Sequence, residues 1–331
     1  MPNARAIKAA LALNRKEAAF GTQIPDGDLD DMVKMTDIDF AQVETTYRTD
    51  EDEITGFGGP TEHEVESKTG SLARKFNASV ETIAAFVFWL LGRVTTTGAG
   101  PFTHVGKWPS ICTLIPPSFS MIEGLDCPGS TGTIWLYKGM VVDSLTIEVN
   151  GKAAVVLTLN LKTDGSETAK ASFTFPTSYA AVNRLLGSML TIKLGPALEN
   201  ISSVFRTLKI TINAAMEEPP NVAAGVNVAE YQYGDQKPDL QIELSIKGDK
   251  SHAVYGYYQN NTNVKFEALL QKAAGASVKL GCEKGVVKVT PGREGRETRL
   301  NITYMPEWNT TDDGPGTWTI INSVASYLLT A

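Results

Sequence analysis

From Tyr137 to Gly165 the chain reads YKGMVVDSLTIEVNGKAAVVLTLNLKTDG, two runs rich in Val, Leu, Ile and Thr that meet at Asn150-Gly151. An Asn-Gly pair supplies the positive φ angles of a type I′ two-residue turn, whose twist suits the flanking strands, so the segment is predicted as a β-hairpin with Val149 opposite Lys152. In that register one face carries Leu145, Ile147, Val149, Ala154 and Val156. The other carries Val142, Val155, Leu157 and Leu159 beside Ser144, Thr146 and Glu148. Neither face is cleanly polar. An antiparallel sheet with one wet side alternates apolar and polar residues, so the mixture predicts a cover on both sides, from a second layer of the chain or from a neighbouring subunit.

Val80 to Leu91, VETIAAFVFWLL, has helical character and a candidate N-cap in Ser79. A surface helix keeps a polar face, yet Ile83 to Leu91 is apolar all round. Two arrangements satisfy this: burial wholly within one domain, or packing on the chain's own sheet with the outer face against a neighbouring subunit. Together with the hairpin, the helix points toward self-association. Phe86, Phe88, Trp89 and Leu90, with Val155 and Leu157 of the hairpin, are the residues expected at such a subunit interface.

Other segments follow the same logic. A basic stretch, residues 1 to 20, is predicted as an amphipathic helix or flexible arm, and Asp26 to Glu66 is markedly acidic. Gly56, Gly58, Gly59 and Pro60 mark a loop. Strands are predicted at Glu62–Ala73, Ser110–Gly124, Phe205–Ala215, Asn227–Tyr233, Leu240–Lys247, Ala253–Gln259, Val286–Thr290 and Arg299–Tyr304, and helices at Ala180–Met189 and Val264–Ala274. Strands at regular spacing with one or two helices indicate a mainly β sandwich or barrel. The succession of strand, helix and strands occurs twice, around 62 to 165 and 227 to 304.

Composition narrows the function classes. At 331 residues, 42% hydrophobic and 20% charged, the chain can bury a core, and its net charge of -7 argues against a protein that grips nucleic acid by neutralising phosphates. Cys112, Cys127 and Cys282 are widely spaced, which indicates neither a disulfide framework nor a zinc site, and a reducing compartment. The most hydrophobic run, Ile83 to Leu91, is about half the length of a membrane span. Lys8 and Asn14 break the N-terminal apolar patch, and Arg15-Lys16-Glu17 stands where a signal peptide would be cleaved.

Candidate chemistry is sparse. The sequence holds no G-x-S-x-G, H-E-x-x-H or GxxxxGK[ST], and Gly248-Asp249-Lys250-Ser251 lacks the upstream glycine of a phosphate loop. His63, His104 and His252 stand apart from one another and from the cysteines, as surface or hydrogen-bonded histidines do. Asp26-Gly27-Asp28-Leu29-Asp30 has the spacing of a calcium loop, but Asp31 occupies the position that needs Gly and Asp37 the position of the bidentate Glu. A solvated acidic loop is the expectation. Tyr231, Tyr233, Tyr255, Tyr257 and Tyr258 could form a stacking platform for sugar or single strands, or, as expected for an acidic chain, pairs across a sheet. No enzyme, metal or cofactor is predicted.

The order of a helix at Val80–Gly92, a first strand region at Ser110–Gly124 and the hairpin Tyr137–Gly165, with its Tyr-Lys-Gly-x-x-Val-x-Ser-Leu-Thr strand and Lys-Thr-Asp-Gly ending, resembles the major tail tube proteins of tailed bacteriophages. The resemblance implies a β-sandwich over 62–307, in one unit or in two β-rich halves (62–176 and 205–307). An N-terminal arm (1–25), an acidic loop and extended segment (26–70) and a C-terminal arm (308–331) would flank it. It further implies hexameric rings with a β-barrel lumen, stacked into a tube in the virion tail after assembly in the host cytoplasm. The tube would be filled by a tape-measure protein, bounded by terminator and distal tail proteins, and crossed by DNA without specific binding. Asp50, Glu51, Asp52, Glu53 and Phe57 are the expected loop between rings. A distal-tail or terminator ring and a virion carbohydrate-binding module are the rival readings.

Overall fold

Alternating burial sorts most of the chain into two open antiparallel sheets with a helix between them. The computed structural model describes residues 7–33, 42–49, 63–109, 115–125, 134–177, 183–219, 225–234 and 238–331. In chain order the first half runs β1 (Ile7–Leu11), β2 (Arg15–Lys16), β3 (Asp31–Val33), β4 (Gln42–Thr49), β5 (His63–Asn77), α1 (Val80–Leu91), β6 (Arg93–Thr97), β7 (Phe102–Lys107), β8 (Phe119–Leu125), β9 (Ile134–Asn150), β10 (Val156–Thr163) and β11 (Glu167–Ala169). The second supplies β12 (Leu190–Gly195), β13 (Phe205–Asn213), β14 (Met216–Glu217), β15 (Gln232–Tyr233), β16 (Asp239–Lys247), α2 (Ala253–Gln259), β17 (Lys265–Ala273), β18 (Ala276–Cys282), β19 (Gly285–Glu294), β20 (Glu297–Pro306), β21 (Thr317–Asn322) and β22 (Leu329–Thr330).

The hairpin at Asn150-Gly151 forms, in a different register from the one its turn signal predicts. Glu148 pairs with Val156, Ile147 with Leu157 and Leu145 with Leu159, three residues further along β10 than a two-residue turn would give. Gly151 keeps its positive φ of 54°, but the chain does not fold straight back. Gly151 N–H donates to the Arg206 carbonyl (2.9 Å) and Val155 N–H to that of Leu185 (3.1 Å), so Gly151 to Val155 form a loop tied to neighbouring segments. An odd shift exchanges the faces of one strand. Leu145, Ile147, Val149, Val155, Leu157 and Leu159 therefore share one face, each 1% exposed or less. Ser144, Thr146, Glu148, Thr158 and Asn160 share the other, half-buried or exposed. The expectation of two mixed faces is corrected: the hairpin is one-sided.

That one-sidedness runs across the long sheet, whose strand order is β19-β20-β16-β13-β9-β10-β5-β4. Its apolar face covers α1, and a second sheet, β12-β17-β18-β21-β7-β6, lies on the far side. α1 packs against β9 in one layer and against β6, β7, β18 and β21 in the other, which is why it has no polar face. Ser79 caps it in a reciprocal box with Thr82, and Gly92 at φ 69° ends it. Beyond α1 the layers meet directly, with the Phe266 and Tyr304 rings 5.4 Å apart. Neither sheet closes on itself, so the architecture is a mainly β sandwich.

The long sheet contains the same four-strand pattern twice. β4-β5-β10-β9 and β13-β16-β20-β19 are adjacent blocks of one order, and in each the second strand by sequence leads into a helix, α1 or α2. That helix packs on the strand at the block's far end, β9 or β19. The echo expected from the sequence has a counterpart in this topological duplication, but its second helix is α2 and not Val264–Ala274, which is the strand β17, and the two blocks join where β9 pairs with β13.

Other expectations change. From Ile7 the N-terminal segment is no arm or helix: β1 pairs with β8 and β3, and Ala9 to Leu13 are buried. The C-terminal stretch is no arm either, because β21 sits between β18 and β7 and β22 pairs with β2. Ala253–Gln259 is the helix α2, capped by the His252 ring accepting from Val254 N–H, whereas the expected helix at Val264–Ala274 is the strand β17. There Phe266, Ala268 and Leu270 alternate inward, and this period overrides the helix propensity of Glu267, Ala268, Leu269 and Lys272. Of the helix expected at Ala180–Met189, a 3₁₀ turn at Gly187–Met189 is present, and residues 180–182 lie outside the described residues.

One buried charge pair interrupts the apolar face. Arg74 on β5 makes a bidentate contact to Glu123 on β8 at 2.7 Å, both side chains 1% exposed or less. Replacing Arg74 by Ala is expected to cost about 3–5 kcal/mol by stripping a buried carboxylate of its guanidinium. The double change Arg74→Met with Glu123→Leu is expected to recover most of that loss, read by urea titration. Phe86 and Trp89 lie in the same interior, Trp89 stacked 4.2 Å from Phe119 and Phe86 5.6 Å from Phe76. Phe86→Asp or Trp89→Asp forfeits about 3–5 kcal/mol of ring burial and several more for a buried charge, against a total of about 5–15. Circular dichroism is expected to show unfolded chains rather than folded, unassembled monomers.

Candidate functional site

Register places the polar side chains of the long sheet in rows across its open face. One row runs Lys288, Thr303, Glu243, Lys209, Glu148, Val156 and Asn77. The next runs Gln241, Thr211, Thr146, Thr158 and Lys75. Lys209 thus stands between Glu243 and Glu148, and Thr146 and Thr211 approach to 3.3 Å through their hydroxyls. Asn160 donates to Ser144 Oγ at 2.8 Å, and Lys162 lies 3.3 Å from Asp143. A shallow groove of about 430 Å³ follows the first row, lined by Glu148, Asn150, Lys209, Glu243, Asn301 and Thr303. The surface is hydroxyl- and amide-rich with alternating charge. Among the described residues it has no concentration of one sign.

The residues expected at a subunit interface lie elsewhere. Phe86, Phe88, Trp89, Leu90, Val155 and Leu157 are each 1% exposed or less. Phe88 packs on His104 and Tyr327, and Trp89 Nε1 donates to the Arg15 carbonyl at 3.2 Å. The reason for assigning them to a contact between chains, an apolar surface that needs a cover, is met within the chain. Asp50, Glu51, Asp52, Glu53 and Phe57 lie outside the described residues. What sequence reading missed is the polar face itself, because the hairpin register hides it.

The other candidates serve the fold. His104 sits between Thr96 Oγ1 (2.8 Å) and Asn322 Oδ1 (3.2 Å), its burial holding the imidazolium below the usual histidine range. His252 caps α2, and burial pushes the Cys282 thiol up. The side chain of His63, and Cys112, Cys127 and Asp37, lie outside the described residues. Asp28 pairs with Arg15 at 3.2 Å, Asp26 with Lys170, and the Asp31 carboxylate accepts Leu13 N–H at 2.9 Å. The acidic loop is therefore partly built into the fold. The tyrosines do not form pairs across a sheet. Tyr231 donates to the Thr163 carbonyl (3.0 Å) and Tyr233 to that of Leu90 (2.7 Å), whereas Tyr255, Tyr257 and Tyr258 ride on α2.

Among the described residues the long sheet also has two free edges: β4 pairs with β5 alone and β19 with β20 alone. Unpaired edges are templates for another strand, and proteins that do not use them usually blunt or cover them.

A one-sided sheet with a polar open face and, among the described residues, two open edges has the form of a wall segment. Comparison with curated proteins found no match. Comparison with protein families matches the phage tail tube protein family over residues 7–306. With nearly the whole sandwich inside that match, the chain belongs to the phage tail tube protein family.

Proposed function

We propose that copies of this chain join through the edges of the long sheet into rings that stack as the tail tube, and that the polar face lines the lumen through which the genome passes to the host. The observation that carries this reading is the one-sided sheet: its apolar face is spent on α1 and the second sheet, and its polar face needs no cover. A closed ring would pair the edges left open in the single chain. A tape-measure protein would fill the lumen before ejection, and terminator and distal tail proteins would bound the tube.

The lining suits transit. Binding DNA through phosphates needs clustered cations that release counterions, and here Lys209 is flanked by Glu148 and Glu243. A balanced lining of this kind offers passing phosphates no basic stripe.

Negative-stain microscopy of concentrated protein is expected to show long tubes. Rings that never stack would favour a terminator or distal-tail role, and monomers at all salt concentrations would sink the reading. A second experiment addresses the lining. Tubes carrying Glu148→Lys with Glu243→Lys are expected to assemble and to retain a short labelled DNA duplex on pelleting, at least about tenfold above unaltered tubes at ~0.15 M salt and reversed at high salt. Equal retention by both would show that this face does not meet DNA.

A further inference from the structure

We infer that each chain supplies two units of the ring wall, so that the β9–β13 junction inside the chain is repeated between chains by β19 of one copy and β4 of the next. The inference rests on the tube reading above and changes its stoichiometry. The unit of the six-fold repeat implied by the resemblance is then the four-stranded block and not the chain. With two blocks per chain, three chains complete the same six-block circuit.

The argument starts from sheet order. Reading β4-β5-β10-β9 and then β13-β16-β20-β19, every strand of the second block has a counterpart in the first, at the same place and in the same direction. β9 ends one block and β13 opens the next, so the seam between blocks is already built once, antiparallel, from Asn150↔Thr207 to Ser144↔Asn213. The open edges of the chain are the same two positions: β19 is the counterpart of β9, and β4 of β13.

Register makes the copy specific. The first residue of β10, Val156, pairs with the last of β5, Asn77, and near the start of β20 Arg299 pairs with the last of β16, Lys247. With those pairs superposed, Ser144 corresponds to Lys288 and Thr146 to Thr290. On the other edge Asn213 corresponds to Glu44 and Thr211 to Gln42, through their partners Asp239, Thr69, Gln241 and Ser71. The internal pairs Ser144↔Asn213 and Thr146↔Thr211 then predict Lys288↔Glu44 and Thr290↔Gln42 between chains. Lys288 and Glu44 are both exposed and take no ion pair among the described residues. The seam therefore sets opposite charges face to face, where a cross-strand pair is favourable and like charges are not.

The test is a cysteine bridge across the seam, in a background with Cys112, Cys127 and Cys282 replaced by Ser. Lys288→Cys with Glu44→Cys, oxidised with copper-phenanthroline after assembly, is expected to give a ladder on non-reducing gels that stops at three chains. Ser144→Cys with Asn213→Cys is the internal control and is expected to close within one chain. A parallel charge test uses Lys288→Glu, expected to abolish assembly of a folded chain, and Lys288→Glu with Glu44→Lys, expected to restore it. Tubes by microscopy with a ladder running to six would overturn the stoichiometry. Tubes with no bridge and no charge rescue would overturn the seam. If the unaltered chain makes no tubes or rings at all, the tube reading itself fails.

Discussion

The structure depends on the parity of one pairing. In β9 and β10 the apolar residues fall on a common face because Ile147 meets Leu157 and Leu145 meets Leu159. A shift by one or three positions would turn half of them toward water. At about 1.5–3 kcal/mol for each buried aliphatic side chain, misplacing the four on β10 and its loop would cost about 6–12 kcal/mol, comparable with the whole stability of a typical domain. The register propagates through β13, β16 and β20, so a single choice separates a greasy face from a wet one over the whole long sheet.

From that separation the rest follows. The greasy face needs a cover, and α1 together with the second sheet supplies it, so a helix with no polar side is a natural middle layer. The terminal segments complete the body: β1 extends it beside β8, and β21 bridges β18 to β7. Arg74 and Glu123 are a charge pair within the apolar side, tolerable because each satisfies the other.

The wet face and the open edges are what remains for function. Backbone groups inside the long sheet are paired, but those along β4 and β19 point outward among the described residues. An edge of this kind is a hazard in a monomer and a joint in a polymer. The β9–β13 seam is a joint of this kind inside the chain, where it fuses the two blocks. In the ring inferred above, folding and assembly use one interaction.

The amino-acid order by itself determined the mainly β class, the Ser79-capped helix and the positions of most strands of the long sheet, because these rest on local periodicity and capping, whereas the strands of the second sheet were not read as such. The echo of strand, helix and strands was visible in outline, with its second helix set at Val264–Ala274 instead of Ala253–Gln259. Tertiary structure alone decided the hairpin register, since Asn150-Gly151 favours a tight turn locally while the hydrogen bonds to Arg206 and Leu185 that hold the wider loop come from segments remote in sequence. It decided the exchange of helix and strand at Ala253–Gln259 and Val264–Ala274, where Tyr-rich and Leu-rich segments carry propensities opposite to their final places. It also decided that Phe86, Phe88, Trp89 and Leu90 are interior. Hydrophobicity shows that a residue needs a cover, and only the packing of distant strands shows whether the chain provides it.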